Sequence, residues 1–322
     1  MPKLPQALGK CACAFLATLG LYSATATAQN TFPSRPITIY VGTQPGGTYD
    51  TISRILSAAW QKKWGQNVIV ESRPGSGGVL ATSLVARAAP DGYSLVFGGA
   101  YDAPLFLKEI GFDPQKDVIP VSVVGVQYYF LLTSRKANTK TLAEFISQAK
   151  ANPGKLSFGI VPAGQHDIET NDMTERLGIK LNLVGYKGIA PIYVALLANE
   201  IDGAMGTTTP QMKTGEMIGL AVGGPKRNAE FPNIPTFREL GYNYDPMANY
   251  TFYTRAGTPA DVVNKLYEAA AEVAKSSEFS DRVTKTYSIE AAGWTPEASA
   301  KFLRENYERE KAVAERAGIK PQ

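Results

Sequence analysis

Short β-branched runs alternate along this chain with stretches in which apolar residues recur every three or four positions. ITIYV at 37–41, NVIVES at 67–72 and YSLVFGG at 93–99 predict three strands, with helical stretches between them. The first helical stretch carries Ile52, Ile55, Leu56, Ala59 and Trp60 on one stripe. Thr48 is placed to cap it, and Asp50 lies in its first turn, where a negative charge offsets the helix dipole. A second alternating series follows: YFLLTS at 129–134, a helix from Thr141 to Asn152, LSFGIV at 156–161, a helix after Gly164, LNLVGY at 181–186, then IDGAMG and IGLAVGG. Strand, helix, strand repetition predicts parallel α/β layers.

Gly and Pro then crowd between Gly223 and Pro246, after which TFYTR at 251–255 predicts a strand returning to the first series. The chain would thus cross twice between two lobes, one built from 29–127 plus 250–322 and the other from 128–249. Thr258-Pro259-Ala260-Asp261 and Thr295-Pro296-Glu297 predict the starts of two C-terminal helices. Val262, Val263, Leu266, Ala270 and Val273 form the core stripe of the first; the charges of the second, which ends near Arg316, read as a solvated face.

The first residues change the picture, because Lys3 and Lys10 flank an uncharged stretch, Cys11 to Ala28, that ends Ala26-Thr27-Ala28. Charge, apolar run and small-residue exit in that order predict a cleavable signal peptide over 1–28 and export to the periplasm. The run is too short to span a bilayer as a permanent helix, and Lys10 directly before Cys11 speaks against acylation. Both cysteines fall in this leader, so the mature chain is expected to hold no disulfide and no thiol chemistry. Of 33 Lys and Arg, two lie in the leader, leaving 31 basic side chains against 29 acidic ones. So small a balance offers no long-range field for nucleic acid.

Catalytic chemistry is poorly supplied. One histidine, His166, cannot make a His-based zinc site, and neither HExxH nor CxxC spacing occurs. No G-x-S-x-G elbow is present; Pro74-Gly75-Ser76-Gly77-Gly78 lacks both that pattern and the ending of a phosphate loop, and reads as a tight turn before a helix from Val79 to Ala89. Neither an enzyme, a cofactor nor a metal is expected.

The loop from Gly42 to Asp50 joins a buried strand to a helix start, with Gly46, Gly47 and Thr48 offering N–H groups to open space. Such helix starts bind anions, although many βα turns bind nothing, and both readings stand. The loop from Val161 to Asp167 repeats the arrangement, and two such loops across a cleft would grip two carboxylates or the two ends of one ligand. His166 reads equally as a structural hydrogen-bonding residue and as a ligand contact. Lys187 reads as a partner for a carboxylate or as a solvated charge.

Several segments together resemble the Bug-type receptors of tripartite tricarboxylate transporters. They include GGTYDTISR at 46–54, VIVESRPGSGG at 68–78, AAPDGYSLVFG at 88–98, FDPQKDVIPVS at 112–122, GYKGIAP at 185–191 and AVGGPKRNAEFPNIPTFRELGY at 221–242. The resemblance implies an α/β, two-lobed periplasmic binding protein fold, type II-like, with the ligand cleft between the lobes. It also implies a monomeric receptor that delivers a small carboxylate to an integral-membrane tripartite permease. A sensor kinase is the alternative partner.

On that basis the ligand is expected among Thr43, Gln44, Gly46, Gly47, Thr48 and Tyr49 in the first loop and Gly164, Gln165, His166 and Asp167 in the second. Gly99, Ala100 and Tyr101 after the third strand, with Lys187, Thr207 and Thr208, complete the set. Ala195 stands where the family usually has an acid, and Tyr101 and Asp102 occupy a loop shorter than usual. These departures, with Tyr49, point to a roomier, more aromatic pocket and to a dicarboxylate, with terephthalate as an aromatic example.

Overall fold

The computed structural model describes residues 32–98, 101–137, 139–162, 164–207 and 210–321, so the leader, Cys11 and Cys13 included, lies outside the described residues. Eleven strands form two sheets among them. The first holds β1 (Ile37–Val41), β2 (Val68–Ser72), β3 (Ser94–Phe97), β4 (Val118–Tyr128), β10 (Met247–Arg255) and β11 (Glu290–Ala291) in the order β11-β4-β10-β3-β1-β2. The second holds β5 (Phe130–Ser134), β6 (Ser157–Ile160), β7 (Asn182–Gly185), β8 (Gly203–Gly206) and β9 (Met217–Val222) in the order β7-β6-β8-β5-β9.

Helices α1 (Thr48–Trp64), α2 (Val79–Ala86), α3 (Leu142–Ala151), α4 (Gln165–Leu177), α5 (Ile189–Ala198) and α6 (Pro210–Lys213) alternate with these strands. At the C-terminal end come α7 (Ala260–Ala274), the short turns α8 (Ser277–Phe279) and α9 (Lys285–Tyr287), and the long α10 (Pro296–Ala317).

Residue periodicity accounts for the first core. Ile37, Ile39 and Val41 are fully buried on alternate positions of β1 and meet the Ile52, Ile55, Leu56 and Trp60 stripe of α1 together with Leu266, Ala270 and Val273 of α7. Burying each such side chain contributes about 1.5–3 kcal/mol. Leu131, Phe145, Phe158 and Met173 anchor one face of the second sheet, and Phe130, Leu132, Ile192 and Leu196 the other.

The sheets are mixed rather than wholly parallel. β2-β1-β3 and β7-β6-β8 are parallel, but β10 runs antiparallel to both β3 and β4, and β5 antiparallel to both β8 and β9. β4, an eleven-residue strand, has no counterpart in the periodicity reading. It is buried along nearly its whole length, so its apolar run does not alternate. Pro120 lies where the β4–β10 register shifts, a position that does not require its missing N–H.

Caps move by one residue in two helices: Gly47, not Thr48, caps α1, and Pro259, not Thr258, caps α7. Thr295 caps α10 through its side chain at the start the sequence predicts, and Thr141 lies just outside α3 as its cap, in a reciprocal capping box with Glu144. α2 ends at Ala86, short of Ala89.

The chain passes from the first sheet to the second at Tyr129, whose N–H donates to the Pro246 carbonyl at 2.9 Å on the returning segment. α10 joins the halves more strongly. It packs on β4, where Ser299 Oγ accepts from Val123 N–H at 3.0 Å, and also on α4 of the other half. Most of its charges, Lys301, Arg304, Glu305, Glu308 and Lys311 among them, are solvated as read, but Glu310 is 1 % exposed, and Arg309 reaches Glu169 Oε1 at 2.5 Å and Asp172 Oδ2 at 2.9 Å on α4. Ile168 of α4 packs beside this cluster against Leu105, Phe106 and Val313.

Arg309→Met removes the only cation that touches Glu169 in the described structure and leaves two buried carboxylates behind. Its expected cost, about 3–5 kcal/mol in urea unfolding, is recovered when Glu169 and Asp172 are replaced by Gln and Asn in the same chain.

Candidate functional site

A cavity of about 510 Å³ opens where the two halves meet. The loop after β1, the loop after β3, the start of α4, β10 and α10 all contribute to its wall. Close backbone approach builds one side: a Cβ on Gly42 would lie 2.5 Å from the Cα of Gly78. Gly98 adopts a left-handed φ of 71°, and a Cβ there would lie 2.5 Å from the Tyr49 ring. Tyr49 thereby packs over Gly98, with Phe97 and Tyr250 as ring neighbours, and its hydroxyl donates to the Asn249 carbonyl at 3.4 Å. Burial, then the Asp102 carboxylate, pushes the Tyr49 hydroxyl up to about 12, so it remains a neutral donor.

Thr43, Tyr49, Tyr101, Gly164 and Gln165, of the residues expected at the site, come together on this cavity. Thr43 Oγ1 is buried and has no hydrogen-bond partner. Gln165 Nε2 donates to the Met247 carbonyl and to Glu310 Oε1, both at 3.3 Å. Tyr101 stacks on Tyr253 and meets Tyr307 edge-on, each with ring centroids 6.2 Å apart, giving the wall an aromatic side.

The other expected residues are placed elsewhere. Gly46 does not leave its N–H free: it donates to Asp50 Oδ2 at 3.0 Å. Burial opposes the charge on Asp50, but hydrogen bonds from Arg54 and Gly46 hold its carboxyl below the usual range. Gln44, Gly47 and Thr48 border the same loop outside the cavity lining.

His166 takes its structural reading. Its Nδ1 accepts from Val161 N–H at 3.4 Å and its Nε2 donates to the Met205 carbonyl at 3.0 Å, while burial lowers its pKa and keeps the ring neutral. Asp167 accepts from Asn171 Nδ2 at 2.9 Å, Lys187 is exposed, and Thr207 N–H donates to the Tyr193 hydroxyl at 3.1 Å. Ala195, on α5, is buried in the core, away from the lining. Gly99, Ala100 and Thr208 lie outside the described residues.

Sequence reasoning missed the contribution of α10 and β10. Leu303, Asn306, Tyr307 and Glu310 recur at helical spacing on one face of α10, and Asn249, Thr251 and Tyr253 alternate along β10. Both periodicities are visible in the sequence once those elements are known to face the cleft. Gly77, assigned to a plain turn, also reaches the wall.

Two acids stand in this lining and, among the described residues, no Lys, Arg or His does. Glu310 Oε1 accepts from Asn306 Nδ2 at 2.7 Å and lies 3.7 Å from Arg309 Nη2. Burial, then the Asp102 and Glu169 carboxylates, pushes Glu310 up to about 8. Burial also raises Asp102.

Residues 52–319 match the family model described as the tripartite tricarboxylate transporter family receptor. The chain belongs to that family. BugT of Bordetella pertussis is 31 % identical over 95 % of this chain and 98 % of its own. A protein from the gbd 5′ region of Cupriavidus necator is 32 % identical over 94 % of each chain. Among solved structures, the periplasmic binding protein BugD superposes with a TM-score of 0.74 at 27 % identity, covering 90 % of this chain and 100 % of its own. Rpa4515 of R. palustris, solved with adipate, gives a TM-score of 0.77 at 27 % identity over 90 % and 100 %. MatC of Rhodopseudomonas palustris, solved with malate, gives 0.72 at 26 % identity over 88 % and 100 %. The α/β fold is that of these binding proteins, and the chain is a solute-binding receptor, not an enzyme.

The raised Glu310 carboxyl sets a pH dependence. Between the ordinary carboxyl value and about 8, folded Glu310 keeps a proton that the unfolded chain releases, so stability falls as pH rises across that window. Glu310→Gln is expected to reduce the loss of melting temperature from about pH 5 to about pH 8. Asp102 and Glu169, raised in the same direction, leave part of the slope in place.

Proposed function

We propose that this receptor works in the periplasm, takes a small carboxylate into the cavity between its two halves and hands it to an integral-membrane tripartite permease. The observation that carries the reading is the meeting of two βα loops, through Thr43 and Tyr49 on one side and Gly164 and Gln165 on the other, on one cavity of about 510 Å³. That volume suits a small molecule. Adipate and malate, held by two proteins of like fold, support the choice of a carboxylate.

The carboxylate belongs at the Thr43 end in this reading. There a buried hydroxyl lacks a hydrogen-bond partner, and the two acids of the cavity belong to other elements. Tyr49, Tyr101, Tyr253 and Tyr307 suit an aromatic or extended apolar body. A second carboxylate is disfavoured, because the cavity offers it Asp102 and Glu310 rather than a cation.

Calorimetry and thermal shift with a panel of aliphatic and aromatic carboxylates test this. A true ligand at a hundred times its dissociation constant adds about 2.7 kcal/mol of stability, and no shift with any member of the panel contradicts the reading. Thr43→Val separates function from folding. It is expected to leave stability unchanged or raise it by up to about 1 kcal/mol, since the hydroxyl is unpartnered, while weakening carboxylate binding about tenfold.

A further inference from the structure

Asp102 and Glu310 reach one cavity from separate elements, Asp102 from the turn after β3 and Glu310 from α10. Glu310 is 1 % exposed, and its contacts with Gln165, Asn306 and Arg309 all fall on Oε1, so none of them uses Oε2. Arg309 is not available to the cavity: its nitrogens are seated on Glu169 and Asp172, and it does not line the wall. Thr43 lines the same wall, and its Oγ1 is buried without a hydrogen-bond partner. The cavity wall therefore carries two carboxyl groups and, among the described residues, no lining cation to answer them.

We infer that the ligand is a carboxylate carrying a cationic nitrogen, an ammonium or amidinium, at its far end, with Asp102 and Glu310 as the groups that receive that nitrogen. The inference rests on the cavity being the solute site. Two carboxyls on one wall, Glu310 almost wholly out of water and Asp102 partly so, favour a cation, because a charge-assisted pair replaces their lost hydration. A dicarboxylate brings a second negative charge to a wall that offers it no cation. Burial raises both carboxyls, and Asp102 raises Glu310 further; a bound ammonium would lower them again and favour release of their protons to solvent.

Matched pairs of probes test this, differing only in the far group: 6-aminohexanoate against adipate, and 4-(aminomethyl)benzoate against terephthalate. Calorimetry on the wild-type protein is expected to show the amino acid of at least one pair binding at least about tenfold more tightly than its diacid. Asp102→Asn combined with Glu310→Gln is expected to abolish that preference, and Asp102→Asn alone, which leaves the Arg309 cluster intact, to reduce it should the double variant fold poorly. Diacids that bind as tightly as or more tightly than their amino counterparts, or a preference unchanged by these substitutions, overturn the inference while leaving the receptor reading in place. If no carboxylate of the wider panel binds, the receptor reading of the cavity fails and the inference falls with it.

Discussion

Arg309 holds the two halves of this molecule in register. Its guanidinium projects from a helix packed on the first sheet into two carboxylates of α4, Glu169 and Asp172, that are almost wholly withdrawn from water. Burial works against charge on Arg309, but Glu169 and its hydrogen bond more than offset it and raise the guanidinium's pKa further. A buried pair of this kind is poor at adding stability over an apolar substitute, yet it tolerates few geometries. Its contribution is to fix how α10 lies against α4, and the position of every group those helices present to the cleft follows from that.

The cavity is a consequence of this arrangement. With α10 clamped one residue away, Glu310 is carried into the wall and Asn306 and Gln165 are brought onto its oxygen. The opposite wall depends on backbone close approach at Gly42 and Gly98, where any side chain would strike Gly78 or Tyr49. The wall so formed carries an unpartnered hydroxyl, Thr43 Oγ1, and two acids with no lining cation among the described residues. In the proposed reading the cavity takes a carboxylate, and the particular acids of this chain narrow what else that carboxylate can carry.

The start of the fold was legible because β1 and α1 each bury one face at regular intervals. The alternation at Ile37, Ile39 and Val41 and the stripe from Ile52 to Trp60 report directly on their environment. β4 was illegible for the opposite reason: buried on both faces, it shows no alternation. The site was half legible. Glycines next to helix starts pointed to the first loop and to Gly164, but the N–H of Gly46 turned to Asp50 and the imidazole of His166 to backbone groups. Choices of that kind between local partners leave no trace in residue spacing. Glu310 escaped notice because it stands in a run of charges on α10, and only a tertiary partner distinguishes a buried acid from a solvated one.

A crystal structure grown with the tightest-binding carboxylate tests the central claim most directly. The account predicts the ligand in the cavity between the first loop and α10, its carboxylate about 3 Å from Thr43 Oγ1 and its other end toward Asp102 and Glu310. A ligand whose carboxylate faces Glu310, or one bound outside this cavity, would contradict it.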